Sequence, residues 1–372
     1  MFRHTIPIGR FFGIVVDLDY SWFLIIGLLT WILAVSYYPT EFPGWSGAEY
    51  WLIGGITAVL LFVSVLLHEF GHSLVAMSYG IRVPRITLFL FGGVSQIAAE
   101  PESAAAEFWI AIAGPAVSFL LALIFWELRP LVAGLPALLA MTKYMALLNF
   151  VLGLFNLIPG FPLDGGRVFQ AIVWGITRSF QRATLVAATT GRFFGFAFIF
   201  LGVWQALGGN FFNGLWIAFI GWFIESAAGS QLQQQLLKGI LSGHKVAEVM
   251  NRDFEPVASG LTLQDLVDTH VLAHGRRYFI VQDGDGSAGM VTLSDIKRVP
   301  RSAWPTSHLD EIMVPPAKLI SIPADAEVWT ALEKMGRDGV NQLPVVSNGK
   351  IAGVLTREDL LHYLGVLQMI RS

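Results

Sequence analysis

Apolar stretches long enough to cross a bilayer, separated by short polar breaks, fill the first 228 positions, and short alternating strand and helix patterns fill the rest. Six segments reach the roughly 20 apolar residues that a bilayer requires, near 20–38, 51–78, 108–127, 136–158, 187–206 and 211–228. Between the second and third spans, RITLFLFGGVSQIAAE sets β-branched and aromatic residues around a glycine pair, the pattern of a hairpin. From His244 onward the pattern repeats: VTLSDI at 291–296 recurs as LTREDL at 355–360, and Met250 recurs as Met313. Each unit reads strand, helix, strand, strand, helix. The expected fold is a polytopic α-helical membrane protein of about six transmembrane helices (1–228), a linker (229–243) and a soluble α/β tandem unit (244–372, repeats about 244–301 and 308–372).

Composition agrees with this division. Mean hydropathy is +0.61 and 54% of residues are hydrophobic, outside the range of soluble domains. Charge is concentrated in the tail, since residues 1–229 hold only 10 of the 24 Lys and Arg and 11 of the 27 Asp and Glu. A net charge of −3 without a basic run gives no support for nucleic-acid binding. With zero cysteines, disulfides and thiolate ligands are excluded, so a metal here needs His and carboxylates. The first apolar run is expected to stay as an anchor, although Ala34-Val35-Ser36 loosely mimics a cleavage site. Arg3 and Arg10 precede span one, Arg82 and Arg85 follow span two, Arg167, Arg178 and Arg182 follow span four, and Lys238 follows span six. By the positive-inside rule both termini and the tail are cytoplasmic, in the cell membrane.

Span two carries HEFGH. On a helix His68 and His72 project from one face, so two imidazoles can hold one Zn²⁺ while Glu69 sits about 100° round the axis. The alternative is an accidental buried polar cluster, but three ionisable groups within five residues of an apolar span are costly unless they bind something. Catalytic zinc keeps one position for water, and Glu69 can move that water's proton to a leaving amine, the chemistry of peptide hydrolysis. None of the other six histidines lies in a span: His4 precedes span one and His244, His270, His274, His308 and His362 follow span six. A carboxylate is therefore expected as third ligand. Span four ends in NFVLGLFNLIPGFPLDGGR, where Pro159 and Pro162 stop the helix and present Asn156 and Asp164 from irregular chain at the depth of the histidines.

HEFGH, the hairpin with its Gly pair, WIAIAGPAVSF in span three and NLIPGFPLDGG after span four together resemble the site-2 protease family of intramembrane zinc proteases, over residues 10–229. The resemblance implies His68, His72 and Asp164 as ligands of one Zn²⁺ per chain, Glu69 as general base and Asn156 as a donor to the substrate carbonyl or its oxyanion. It implies a single-span membrane protein as substrate, such as an anti-sigma factor or a membrane-tethered transcription factor precursor. DLDYSW near residue 19 departs from relatives that often carry a His. The hairpin is either a packing flap or an edge, at Gly92, Gly93, Val94 and Gln96, to which an extended substrate adds a strand.

The duplicated tail resembles a pair of cystathionine-β-synthase (CBS) modules. That implies an adenine nucleotide, ATP, ADP or AMP, held by Thr292, Asp295, Thr356 and Asp359, or else a module that only makes a homodimer. Asp17 and Asp19 are expected to be solvated at the interface, Glu225 to reach water or pair with Arg192, and His270 with His274 to form a surface pair. The competing readings are a non-proteolytic CBS-regulated transporter or channel, which has no need of a general base, and a prenyl-protein zinc protease, which would want a Glu as third ligand.

Overall fold

The computed structural model describes residues 5–90, 92–272, 275–282, 288–347 and 350–371. It divides into two compact units, Met1–Gln235 and Leu236–Ser372. Six helices of the first unit are long and apolar enough to span a membrane: α1 (Ser21–Glu41), α2 (Gly47–Ser78), α3 (Ala104–Leu128), α4 (Pro136–Asn156), α6 (Phe180–Leu207) and α7 (Phe211–Leu241). A shorter helix, α5 (Asp164–Thr177), lies between α4 and α6. Each span expected from the sequence corresponds to one of the long helices.

Local chemistry sets their ends. A capping box starts α2: Glu49 N–H donates to Ser46 Oγ at 3.3 Å and Ser46 N–H donates to Glu49 Oε2 at 2.6 Å. Pro136 opens α4, where a missing N–H does no harm, and Pro159 and Pro162 keep the chain from continuing it. Leu24, Trp31, Leu120, Phe193, Phe200 and Trp204 stay exposed on the helix surfaces, as a bilayer solvent demands. Small residues let α6 and α7 approach closely. A Cβ at Gly195 would lie 2.7 Å from the Glu225 nitrogen and one at Gly202 2.6 Å from the Gly214 carbonyl oxygen. On the same helix pair Arg192 Nε donates to Glu225 Oε1 at 2.9 Å, so Glu225 is paired.

The sequence reading missed a hairpin before α1. Strands β1 (Thr5–Phe11) and β2 (Ile14–Asp19) join β3 (Arg85–Phe89) and β4 (Gly92–Ser95) in one sheet of order β1-β2-β3-β4, with β2 and β3 parallel and the other pairs antiparallel. Ile14, Val16 and Ile86 of this sheet pack with Phe70 of α2 and Ile110 of α3. Asp17 is consequently not solvated: it is 1% exposed and ion-paired with Arg85 of the neighbouring strand. Asp19 Oδ1 accepts from the Ser21 N–H at 2.9 Å and from Ser21 Oγ at 2.6 Å, and Ser21 Oγ accepts the Leu90 N–H at 3.1 Å. The DLDYSW entry thus ties the start of α1 to the β3–β4 turn.

The second unit holds the two repeats. Strands β5 (Val257–Ala258), β6 (Tyr278–Gln282) and β7 (Ala288–Thr292) form one sheet, and β8 (Ile322–Pro323), β9 (Gln342–Ser347) and β10 (Lys350–Thr356) form its counterpart, each with one parallel and one antiparallel pairing. The repeats interlock: Asn251 bridges to Val354 and Val314 to Met290. Ile280, Met290 and Val354 share one core cluster. The segment 229–243, expected as a linker, is helical through Leu241 as the end of α7. Leu237 and Leu241 pack with Val328, Met335, Leu343 and Leu360, so the core of this unit begins before His244.

Candidate metal centre

Two turns of α2 and the first turn of α5 build the site. His68 and His72, four residues apart on α2, are each 4% exposed, and their Nε2 atoms lie 3.2 Å apart. Asp164 Oδ2 lies 3.0 Å from His68 Nε2 and 3.2 Å from His72 Nε2. Among the described residues this is the one group of three His, Asp or Glu side chains able to share an ion. Four ligands around zinc at about 2.0–2.1 Å would be about 3.3 Å apart along a tetrahedral edge. The observed separations fit that edge.

Hydrogen bonding fixes which nitrogen faces the centre. The Ile110 carbonyl can only accept, so His72 Nδ1–H donates to it at 2.7 Å and Nε2 is the nitrogen turned to His68 and Asp164. Ser118 Oγ takes the same position beside His68 Nδ1 at 2.8 Å. Both partners lie on α3, which approaches closely because position 114 is glycine: a Cβ there would sit 2.6 Å from His68 Nε2. Two imidazoles and a carboxylate converging on one point are a donor set that could hold a zinc ion.

The helix that carries Asp164 is tied to α3 by an ion pair. Arg167, one turn further along α5, donates from Nε to Glu107 Oε1 at 2.7 Å and from a terminal nitrogen to Oε2 at 3.3 Å. Glu107 is 2% exposed in the first turn of α3. Gln170 Nε2 donates to Thr184 Oγ1 at 2.6 Å, fixing α5 against α6.

Glu69 follows His68 on α2 and faces β4, where Ser95 Oγ donates to Glu69 Oε2 at 2.6 Å. Asn156 is the last residue of α4 rather than part of the irregular chain, and it is half-buried. Gly92, Gly93 and Val94 lie in β4, with Gln96 just beyond it. Gln96 N–H donates to the Arg85 carbonyl at 2.8 Å. In an antiparallel ladder alternate residues face alternate sides. Val94 therefore shares Gln96's side, toward β3, and the main-chain groups of Gly93 and the N–H of Ser95 face the outer edge. The expected docking positions Val94 and Gln96 thus direct their donors into the sheet.

In the second unit Thr292 and Thr356 each begin a helix. Asp295 Oδ2 accepts from Thr292 Oγ1 at 2.7 Å and Asp359 Oδ2 accepts from Thr356 Oγ1 at 2.7 Å, so both carboxylates serve their own helix caps. His270 lies with its ring 6.2 Å from that of Phe279, and His274 lies outside the described residues.

The sequence reading gave Ser118, Ile110, Gly114, Glu107 and Ser95 no role at the site, and Arg167 only one in orientation. Only Gly114-Pro115 inside a span and an Arg directly after the LDGG segment marked their neighbourhoods.

Comparison with known proteins gives two family matches. The model of peptidase family M50 matches residues 56–138 and 132–201, and the CBS-domain model matches 246–302 and 309–366. A Synechocystis protein named zinc metalloprotease sll0528 is 34% identical over 368 residues, 97% of this chain and 96% of that one. A Mycobacterium tuberculosis protein named zinc metalloprotease Rip3 is 34% identical over 372 residues, 99% of this chain and 94% of that one. Among solved structures, the site-2 protease from Methanocaldococcus jannaschii aligns with 62% of this chain and 95% of its own, at 28% identity and a TM-score of 0.41.

Proposed function

Because this chain belongs to peptidase family M50, the site-2 proteases, and is a multi-pass membrane zinc metalloprotease with a tandem CBS tail, we propose that it hydrolyses peptide bonds in or near the membrane-spanning segment of single-span membrane proteins. Anti-sigma factors and membrane-tethered transcription factor precursors are substrates of the right architecture. The observation that carries the reading is the convergence of His68 Nε2, His72 Nε2 and Asp164 Oδ2 on one point between α2 and α5.

His68, His72 and Asp164 would hold the metal, with the Ile110 carbonyl and Ser118 fixing the two rings. Zinc, when bound there, supplies a Lewis acid that polarises a carbonyl and acidifies water. Glu69 takes the proton of the attacking water and returns it to the leaving amine. Asn156 offers an amide donor to the substrate carbonyl or its oxyanion. The outer edge of β4, at Gly93 and Ser95, receives an extended substrate segment as an added strand. Burial within spanning helices limits water to what the site itself admits.

The distribution of Arg and Lys supports cytoplasmic termini in the cell membrane, with cleavage near that face. For the tail we propose an adenine nucleotide bound by the CBS pair, with Thr292, Asp295, Thr356 and Asp359 at the starts of the two helices and homodimerisation through the same modules. Regulation requires a nucleotide that binds the active and inactive arrangements unequally. The transporter reading leaves Glu69 without a task.

The test is purified protein with a single-span model substrate in nanodiscs. Cleavage stops with a zinc chelator and returns on adding Zn²⁺. Cleavage unaffected by complete zinc removal would end this reading.

A further inference from the structure

Side chains on a strand alternate between faces, so Gly93 and Ser95 of β4 share one face and the exposed Val94 takes the other. The shared face meets Glu69. A Cβ on Gly93 would lie 2.5 Å from Glu69 Cγ and 3.0 Å from its Cδ, so β4 lies directly on this side chain. Ser95 Oγ gives its single proton to Glu69 Oε2 at 2.6 Å and accepts one from Ser73 Oγ at 3.2 Å. Ser73 is fully buried one turn beyond Glu69 on α2, so the donor chain begins and ends on the same helix. Successive hydroxyls in such a chain polarise one another, and a hydrogen bond to a carboxylate is of the stronger kind. Ser95 holds one carboxylate oxygen, and the other lies beside Gly93 with no hydrogen bond among the described residues.

Ser95 also has a second face to offer. Its main-chain N–H points away from β3, toward the outer edge of the sheet, beyond which no strand lies among the described residues. One residue therefore turns its backbone to the edge and its side chain to the base.

We infer that Ser95 is a positioning residue that holds Glu69, carried on the strand proposed to dock the substrate. The inference rests on that docking reading for its link to substrate, and on the Ser73–Ser95–Glu69 chain for its geometry. Pairing of a substrate strand with β4 steadies Ser95, and through it the carboxylate, at the moment a peptide bond is presented. The effect belongs to turnover rather than to binding.

The experiment uses the full chain in nanodiscs and a single-span model substrate, comparing Ser95→Ala and Ser95→Thr with the unaltered protein. Loss of one charge-assisted hydrogen bond predicts a kcat about 10- to 100-fold lower for Ser95→Ala. KM and zinc content should be unchanged, and Ser95→Thr, which keeps a hydroxyl, should recover most of the rate. A kcat within about twofold of the unaltered protein would overturn the inference, as would a parallel loss of zinc and KM that Ser95→Thr fails to rescue. Docking is read separately by walking a proline through the substrate, which should raise KM at every second position. A flat walk with low kcat for Ser95→Ala removes the docking reading and leaves the Ser95 role standing. A period-two walk with normal kcat for Ser95→Ala does the reverse.

Discussion

Replacing Arg167 with Met removes a guanidinium from a carboxylate that has almost no access to water. Glu107 is 2% exposed and receives two hydrogen bonds from Arg167, at 2.7 and 3.3 Å. Breaking a buried pair from one side strands the remaining charge, at a cost of about 3–5 kcal/mol. Part of this falls on the metal centre, because Arg167 and Asp164 share the first turns of α5. Groups that orient a ligand typically matter by about 10- to 100-fold in metal affinity, about 1.4–2.7 kcal/mol at 1.36 kcal/mol per tenfold, which is less than the whole penalty. Arg167→Met should therefore lower both the melting temperature and zinc affinity. The double variant Glu107→Leu/Arg167→Met should regain most of the stability, since an apolar pair of similar volume often replaces a buried ion pair at little cost. Thermal unfolding in detergent and zinc competition with a chelator of known affinity measure the two effects. Unchanged melting and unchanged zinc affinity in Arg167→Met would mean that the pair supports neither the fold nor the metal centre, and a double variant less stable than the single would mean that Glu107 is not stranded by loss of Arg167.

Zinc should bind at one per chain and fall in His68→Ala, His72→Ala and Asp164→Ala; full occupancy in Asp164→Ala, by metal analysis, would mean another group completes the site. Leu241 is fully buried in the core of the second unit, so Leu241→Ala should cost that unit about 2–5 kcal/mol. A fragment 236–372 should accordingly melt well above one starting at His244, and equal melting temperatures by circular dichroism would contradict the packing. Calorimetry on the full chain with ATP, ADP and AMP should detect binding that weakens in Asp295→Asn and Asp359→Asn, which keep a cap acceptor but lose the charge; no binding of any of the three leaves the tail as a dimerisation module.

The histidine pair was legible because helical periodicity turns a spacing of four into one face, and Asp164 because two prolines mark where α4 must open. What could not be read locally were the partners. Ser118 lies 50 residues from His68, Arg167 lies 60 from Glu107, and Arg85 lies 68 from Asp17. No period in the sequence links such positions, and an aspartate before a membrane span looks solvated until β3 supplies its arginine. The hairpin β1–β2 was missed because Asp17 and Asp19, at the end of β2, read as the solvated border of the first span rather than as part of a strand. The end of α7 was misread for a different reason: QLQQQLLKGIL is polar like a linker, yet Gln, Leu and Lys are good helix formers. Leu237 and Leu241, four apart, give it the apolar face that packs into the second unit.

In the proposed mechanism Glu69 transfers the proton beside a metal held by His68, His72 and Asp164. Cleavage of a single-span model substrate by purified Glu69→Gln tests it most directly, with zinc content measured on the same sample. The variant should show full zinc occupancy, an unchanged melting profile and a rate about 10² to 10⁴ lower. Cleavage at the unaltered rate by zinc-loaded Glu69→Gln would contradict that mechanism.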